Sequence, residues 1–174
     1  MSAPAIGDER AMLAFLDTHG LAYARFEHPA VYTCEEAARL VPAEADAVHT
    51  KNLFLRDKKG RRHWLLVTTC EKPVDLRAVA PLIGADHLSL GSADRLARHL
   101  GVAPGAVTVL ALVNDPTHAV ELVVDRDVWH AAAIRAHPLV NTATLVIDHA
   151  ALERLIAATG HARSIIDVPV RATG

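Results

Sequence analysis

The sequence has few cysteines, few aromatic residues and little net charge. Its 174 residues include two cysteines, Cys34 and Cys70, and aromatic side chains make up 4% of the chain. The cysteines form no C-x-x-C pair, which predicts two isolated, reduced thiols in the core or on the surface. Because reduced thiols are typical of cytoplasmic proteins, we expect a cytoplasmic location.

Long apolar segments are also absent. No run approaches the roughly 20 apolar residues that a membrane-spanning helix needs. Residues 1–10 lack a basic segment followed by an apolar one, so we predict no secretory signal and no membrane partner.

Charge and histidine content narrow the range of partners. The net charge of −2 argues against a protein that coats nucleic acid through bulk electrostatics, and we expect no DNA partner. It is compatible with a protein that holds a single RNA end through a few local groups. The chain has eleven histidines but no H-E-x-x-H motif, so we predict no metal and no other cofactor.

The composition is otherwise that of an ordinary globular protein, with 51% apolar and 22% charged residues. The length fits one domain over residues 1–174. Strand patterns predominate in the middle of the chain and helical patterns lie between them without a regular βαβ order. This pattern predicts an α+β fold, with a mixed and partly barrel-like β-sheet flanked by helices.

Capping residues and apolar periodicity predict six helices. They cover 8–18, 34–41, 75–84, 92–101, 126–133 and 148–160. The clearest start is the capping box Thr33-Cys34-Glu35-Glu36, in which the Thr33 hydroxyl accepts from the Glu36 N–H and the Glu36 carboxylate reaches back. Pro42 is expected to end that helix.

Apolar runs bounded by turn residues predict eight strands. They cover 22–27, 47–56, 63–69, 87–90, 107–113, 120–125, 143–147 and 164–168. The strand 63–69 is apolar on both faces, as in a sheet that is covered on both sides. The strand 107–113 has the same pattern, and we predict that it pairs with 120–125 across a turn. Residues 137–142 are predicted to be irregular.

Lys51 does not fit its predicted strand. With a period of two, Lys51 points to the same side as Leu53 and Leu55. An ammonium group beside an apolar face costs free energy unless an anionic or hydrogen-bonding partner meets it. Either its amine extends into water from the strand end, or Lys51 is the polar anchor of a ligand pocket.

Two further features allow a structural or a functional interpretation. The basic run 56–62 follows the same strand, and it either keeps a hairpin tip soluble or steers a phosphate backbone towards Lys51. The Gly91-Ser92 turn begins a predicted helix, where free backbone N–H groups suit a phosphate or a ribose oxygen. Such helix starts are common, so this signal is weak by itself.

Four segments together resemble a known family. They are Lys51-Asn52-Leu53-Phe54-Leu55, Leu88-Ser89-Leu90-Gly91-Ser92, Leu100-Gly101-Val102-Ala103-Pro104-Gly105 and His137-Pro138-Leu139-Val140-Asn141-Thr142. In this order and spacing they resemble the prolyl-tRNA synthetase editing-domain superfamily, also called the YbaK-like family. The resemblance is closest to its free-standing Ala-tRNA(Pro) deacylases, the ProXp-ala or PrdX group, and covers about residues 8–168.

The resemblance implies a trans-editing enzyme that hydrolyses the ester of tRNA(Pro) mischarged with alanine, without a cofactor. It implies that Lys51 is essential and that Asn52 acts beside it. The substrate-binding residues that it implies are His137, Gly101, Val102, Ala103, Pro104, Gly105, Ser89, Gly91, Ser92, Asn141 and Thr142. The Gly-Ser turn would lie near the terminal adenosine, and His137 would position the substrate. The implied partners are the 3′ acceptor end of mischarged tRNA(Pro) and prolyl-tRNA synthetase.

Two departures leave the amino-acid preference open. Ala136 precedes His137, and Leu90 precedes Gly91 where an aromatic residue is expected. Both differences affect pocket size, so a deacylase for Cys-, Ser- or Thr-tRNA is an alternative. A non-catalytic module that binds the aminoacyl-tRNA end is an alternative from another class. The sequence contains no G-x-S-x-G motif, and we expect no Ser-His-Asp triad.

Overall fold

The computed structural model describes residues 5–41 and 47–172. The helices are α1 (Glu9–Thr18), α2 (Cys34–Leu40), α3 (Leu76–Leu82), α4 (Ala93–Leu100), α5 (Arg126–Trp129) and α6 (His149–Thr159), and a 3₁₀ helix covers Val109–Asn114. The strands are β1 (Ala24–Glu27), β2 (Val48–Arg56), β3 (His63–Thr69), β4 (Ser89–Leu90), β5 (Val120–Asp125), β6 (Ala133–Ala136), β7 (Ala143–Asp148) and β8 (Arg163–Ile166). Pro42, the predicted end of α2, lies outside the described residues. Within them, no helix is long and apolar enough to cross a membrane.

The described strands form one mixed sheet in the order β1-β7-β6-β2-β3-β5-β8, and β4 pairs with β2 beside this path. β2 and β3 form the predicted antiparallel hairpin, with Lys51 opposite Thr68. β2 also pairs in parallel with β6 at Val48 and His49. The predicted mixed sheet with flanking helices is confirmed, and β2 lies at its centre.

Apolar residues cover both faces of the central strands. Every residue of β3 is buried, and successive side chains alternate between two clusters because a strand has a period of two. Leu65 and Val67 pack in the larger cluster, whereas Trp64 and Leu66 pack in the smaller one. This arrangement confirms the sheet with two covered faces that the sequence of β3 predicts.

Side-chain caps begin the helices where the sequence predicts them. Thr33 Oγ1 accepts from the N–H of Glu36 at 3.1 Å. The Glu36 carboxylate reaches back to the N–H of Tyr32 at 3.2 Å, one residue before the cap. Ser92 and Asp148 cap α4 and α6 in the same way. The first residues of these helices therefore follow from local hydrogen bonding at their N-caps.

The prediction of a strand over 107–113 is wrong. This segment contains the 3₁₀ helix, whose first N–H groups are capped by Thr108, and the residues from Val109 to Leu112 are all buried. An apolar run without periodicity does not distinguish a buried strand from a buried helix. Because this segment is buried on all sides, it has no polar face, and its sequence does not show whether the apolar residues repeat with the period of a helix or of a strand.

The predicted partner of β5 is also wrong, because β5 pairs in parallel with β3 and β8. The predicted helix 126–133 ends at Trp129, and β6 begins at Ala133. Alanine favours helices locally, but pairing of β6 with β7 and β2 determines the conformation of this alanine-rich segment.

The prediction of two reduced, isolated thiols is wrong as well. Cys34 and Cys70 form a disulfide, with their Cα atoms 5.8 Å apart and a separation of 36 positions in sequence. Cys34 is the first residue of α2, and Cys70 directly follows β3. The spacing of two cysteines in sequence does not show that a helix start and a strand end meet.

Candidate functional site

A cavity of about 170 Å³ lies beside β2, just after the residues at which β2 pairs with β6. β2 pairs with β6 at Val48 and His49, and the cavity lies beside the next residues, 50–52. Its described lining residues are Val31, Tyr32, Thr33, Cys34, Ala37, Val41, His49, Thr50, Lys51, Asn52, Cys70, Gly105, Val107, Arg135, Ala136, His137 and Thr144. Pockets for drug-sized ligands measure roughly 300–1,000 Å³, so this cavity suits a smaller chemical group.

Lys51 lines the cavity and is half-buried. Its amine donates a hydrogen bond to the carbonyl oxygen of Lys72, in the turn after β3. Burial lowers the pKa of Lys51, Arg171 lowers it further, and Glu71 opposes both effects. Lys51 therefore does not simply extend into water from the strand end, because a carbonyl oxygen holds its charge at the cavity.

Asn52 also lines the cavity. Its Oδ1 atom is buried and has no hydrogen-bond partner among the described residues. A buried polar atom without a partner costs about 1–3 kcal/mol. Such atoms are uncommon in folded proteins, and each calls for an explanation such as a functional role.

His137 reaches the same cavity from the loop after β6. Its Nδ1 lies 3.0 Å from the carbonyl oxygen of Ala143. Because a carbonyl oxygen only accepts, Nδ1 carries the proton and Nε2 keeps its lone pair. Burial lowers the pKa of His137, the bond to Ala143 opposes this effect, and His28 lowers the pKa further. The ring is therefore a neutral hydrogen-bond acceptor at neutral pH.

The 101–105 loop contributes Gly105 to the cavity, and the structure does not bring its other predicted residues there. Gly101 ends α4 in the left-handed conformation, and Val102 is buried in the larger core cluster. Ala103 and Pro104 are exposed. A Cβ atom on Gly105 would lie 3.4 Å from Cδ1 of Tyr32, so the loop and the segment before α2 meet across the cavity.

The Gly-Ser turn lies at the opposite end of β2 from Lys51. Ser89 pairs with Arg56, and Ser92 Oγ accepts from the N–H of Arg95 as the cap of α4. A Cβ atom on Gly91 would lie 2.6 Å from the Phe54 ring, so close packing there requires glycine. These residues do not line the cavity, and their contact with a terminal adenosine stays a prediction.

Asn141 and Thr142 support the cavity wall instead of lining it. The Asn141 side chain donates to the carbonyl of Val31 at 2.9 Å, and the N–H of Val31 donates to the carbonyl of Asn141. The carbonyl of Thr142 accepts from the N–H of His28. Both residues therefore anchor the chain that leads into α2.

Two lining residues on neighbouring strands were not predicted from the sequence. Arg135 lies on β6 and is buried, and burial lowers its pKa. His49 lies beside it on β2, where burial and then Arg135 lower the pKa of the imidazole. Arg135 falls between the predicted helix 126–133 and the predicted irregular segment 137–142, so no strand pattern marked it as a neighbour of Lys51.

The basic run between β2 and β3 forms many of its contacts within the protein. Nε and Nη2 of Arg62 each donate to the Glu121 carboxylate at 3.1 Å. The Asp57 carboxylate accepts from the N–H groups of Arg61 and Arg62 at 2.7 and 3.0 Å. These bonds favour a structural role in the turn, and steering of a phosphate backbone stays a prediction.

Comparisons with known proteins agree with this fold. The aminoacyl-tRNA editing domain model matches residues 28–155. Prolyl-tRNA editing protein ProX of Acetoanaerobium sticklandii is 36% identical over 160 residues, which cover 92% of this chain and 97% of that protein. Prolyl-tRNA synthetase associated domain-containing protein 1 of Danio rerio is 39% identical over 142 residues, which cover 80% of this chain and 76% of that protein.

A solved structure shares the fold at lower sequence identity. It is a crystal structure proposed to be a trans-editing enzyme for prolyl-tRNA synthetase, with a TM-score of 0.66 and 23% identity. The alignment covers 97% of this chain and 98% of that chain. From the family match and the identity to these relatives, the chain belongs to the aminoacyl-tRNA editing domain family.

Proposed function

We propose that this protein is a trans-editing deacylase that hydrolyses mischarged Ala-tRNA(Pro) at the ester bond of the tRNA 3′ end. The observation that supports this function is the meeting of Lys51, Asn52 and His137 in one small cavity, with Gly105 on its wall. These residues come from three separate segments of the chain. Relatives named for prolyl-tRNA editing support the choice of substrate.

The chemistry requires positioning and charge stabilisation more than a strong nucleophile, because an aminoacyl ester is already activated. Water adds to the ester carbonyl, and negative charge develops on the carbonyl oxygen before the ribose oxygen leaves. Lys51 supplies positive charge for this oxygen or for the terminal phosphate. Arg135 adds a second positive charge to the lining.

The polar side chains orient the substrate. The buried Oδ1 of Asn52 accepts a hydrogen bond from the substrate. The Nδ2 group of the same side chain donates to the ester carbonyl and so orients it. His137, as a neutral acceptor at Nε2, forms a wall that positions the aminoacyl group. A hydroxyl of the terminal ribose assists the attacking water, so a Ser-His-Asp triad is not required.

Selection of alanine over proline is steric. We propose that the part of the cavity that receives the amino-acid side chain fits a methyl group and rejects a pyrrolidine ring by overlap. Rejection by overlap is a stronger filter than the preference of a pocket for one more methylene, which amounts to about 10–200-fold. Prolyl-tRNA synthetase is the source of the mischarged substrate. We place the reaction in the cytoplasm because the charged tRNA is used there; the reduced-thiol prediction no longer supports this location, since Cys34 and Cys70 form a disulfide.

A panel of charged tRNAs tests this function. The purified protein is incubated with Ala-, Pro-, Cys-, Ser- and Thr-charged tRNAs, and the ester that remains is measured over time. We expect rapid hydrolysis of Ala-tRNA(Pro) and slow hydrolysis of Pro-tRNA(Pro). Equal rates for these two substrates would end the steric proposal.

The same panel separates the alternatives. Faster hydrolysis of Cys-, Ser- or Thr-tRNA would assign the protein to another mischarged substrate. Binding of the charged 3′ end without hydrolysis would make the protein a non-catalytic module.

A further inference from the structure

The Cys34–Cys70 disulfide is part of the cavity wall. Both cysteines line the cavity together with Lys51. The disulfide joins the first residue of α2 to the residue after β3. It therefore connects a surface helix to the strand that pairs with β2.

α2 has little apolar anchoring of its own. None of its seven residues is buried, and isolated helices shorter than about 12 residues are marginal in water. The segment 31–41 nevertheless provides six of the described lining residues: Val31, Tyr32, Thr33, Cys34, Ala37 and Val41. One side of the cavity is thus built from an element that its own packing holds weakly.

The anchors of this segment lie at its two ends. Val31 and Val41 are buried, and Asn141 binds the backbone of Val31. The disulfide adds a covalent anchor at the start of α2. Between these ends α2 packs only lightly on β2, so the disulfide is a covalent restraint on the position of the wall.

The other end of the disulfide lies close to the lysine of the site. The N–H of Cys70 donates to the carbonyl of His49 at 3.0 Å. Two residues further on, the carbonyl of Lys72 accepts from the Lys51 amine. The disulfide therefore sets the separation between α2 and the turn that holds Lys51.

We propose that the Cys34–Cys70 disulfide is a specificity-determining element, which fixes α2 across the cavity and so limits the size of the aminoacyl group. This inference rests on the proposed function. A cavity excludes a larger group by overlap only while its walls stay in place, because a wall that moves accommodates the additional atoms. Reduction of the disulfide frees α2 at Cys34 and relaxes the discrimination against proline.

The reduction is a balanced thiol–disulfide exchange with a dithiol. One thiolate of dithiothreitol attacks a protein sulfur and expels the other as a thiolate, which forms a mixed disulfide. The second thiolate of the dithiol then displaces the protein sulfur. The dithiol is oxidised to its cyclic disulfide, and the protein gains the two protons and two electrons as the thiols of Cys34 and Cys70.

The experiment compares the oxidised protein, the protein reduced by dithiothreitol, and the double variant Cys34→Ser/Cys70→Ser. Hydrolysis of Ala-tRNA(Pro) and Pro-tRNA(Pro) gives a rate ratio for each form. We expect the ratio to fall by about tenfold on reduction, an effect of the size of one methylene in a fixed pocket. The double variant should match the reduced protein and should not respond to dithiothreitol, which makes it the matched control.

Hydrogen–deuterium exchange of the segment 31–41 provides a measurement that does not depend on hydrolysis. We expect faster exchange in this segment after reduction, with little change in β3. An unchanged rate ratio, unchanged exchange, or two reactive thiols in the unreduced protein would each overturn the inference.

The two proposals fail in different ways. If the oxidised protein hydrolyses none of the charged tRNAs, the proposed function fails and the specificity role falls with it. If it hydrolyses Ala-tRNA(Pro) with the same discrimination in both redox states, the function stands and the role of the disulfide is overturned.

Discussion

At the scale of single residues, Lys51 shows how a half-buried charge is held beside an apolar sheet. Burial lowers its pKa, but the carbonyl of Lys72 accepts a hydrogen bond from its amine. A hydrogen bond to a charged group contributes about 1.5–3 kcal/mol, which offsets part of the desolvation cost. The amine is therefore kept at the cavity; in the proposed function a substrate oxygen replaces or joins the carbonyl there.

We expect Lys51→Ala to lose about 100-fold or more in the rate of Ala-tRNA(Pro) hydrolysis, the range found when one charge-stabilising donor is removed. The change deletes the charge and one bond to a backbone carbonyl, but it leaves the pairing of β2 with β3 intact. The melting temperature should therefore change little. Rates of deacylation and thermal melting curves of the same preparations measure both quantities.

Arg77→Ala is the control for this change. Arg77 is an exposed cation on α3, outside the cavity lining and the basic run 56–62, so its removal should leave the rate near that of the unchanged protein. A Lys51→Ala protein with full activity would remove Lys51 from the proposed mechanism.

Sequence alone indicated some of the residues at the site and not others. The prediction that Lys51 anchors a pocket agrees with its place in the cavity, and His137 lies in the same cavity. Arg135 was not predicted, because its proximity to Lys51 depends on the pairing of β6 with β2. Only the folded sheet brings these strands together.

At the scale of elements, the loop between α4 and the 3₁₀ helix illustrates how backbone conformation shapes the cavity. Gly105 has a φ of +90°, in the region that side chains with a Cβ atom rarely adopt. The same position lies against the Tyr32 ring. The backbone conformation therefore favours glycine there, whereas a Cβ atom would make only an ordinary contact of 3.4 Å with Tyr32.

Gly105→Ala should destabilise the protein by about 1–3 kcal/mol, the cost of a residue held in a sparsely populated conformation. It should also reduce Ala-tRNA(Pro) hydrolysis, because strain in the backbone at position 105 shifts a loop that lines the cavity. Urea unfolding measures the first effect and deacylation rates measure the second.

The control for this prediction is Gly7→Ala. A Cβ atom on Gly7 would meet nothing within 4 Å, and its φ is not in the left-handed region. Little change is expected for Gly7→Ala in either measurement. The prediction fails if Gly105→Ala behaves like this control.

The elements that sequence predicted correctly are those with local signals. Thr33, Ser92 and Asp148 begin their helices as caps, and a capping bond spans three residues. The 3₁₀ helix and the parallel pairing of β5 have no local signal, since both depend on residues far away in the chain. Burial on all sides removed the periodicity that distinguishes a helix from a strand.

At the scale of the whole molecule, buried and half-buried histidines make the free energy of unfolding depend on pH. Burial is the largest cause that lowers the pKa of His49, His63, His99 and His137. The pKa of His63 falls from its ordinary value of 6.5 to about 4, and His99 and Arg95 also contribute. The ring of His63 packs between Phe54 and His99, so its protonation is unfavourable in the folded state.

The free energy of unfolding should decrease as the pH falls from 6.5 towards 4. Between these values the unfolded chain binds a proton at His63 that the folded protein does not, so acid favours unfolding. For a shift of this size, His63 alone contributes about 3 kcal/mol that is present above pH 6.5 and lost near pH 4. Urea unfolding at a series of pH values measures the slope.

His63→Gln should flatten this dependence, whereas His87→Gln should not, because His87 is an exposed histidine. A further decrease in the free energy of unfolding is expected below about pH 4, where carboxylates such as Asp57 become protonated. The N–H groups of Arg62 and Arg61 lower the pKa of Asp57 in the folded protein. A stability curve that stays flat from pH 6.5 to 4 would contradict the assignment of His63.

The sequence by itself determined the helix starts, the β2–β3 hairpin, the sheet with two covered faces and the membership of an editing family. Each follows from short-range signals: a cap acts over three residues, a strand alternates every two, and family motifs retain their order along the chain. The tertiary structure decided that β2 pairs with β6, that Arg135 joins Lys51 at the cavity and that Cys34 bonds to Cys70. These contacts join residues far apart in sequence, and they depend on how sheet and helix surfaces pack, which no local pattern encodes.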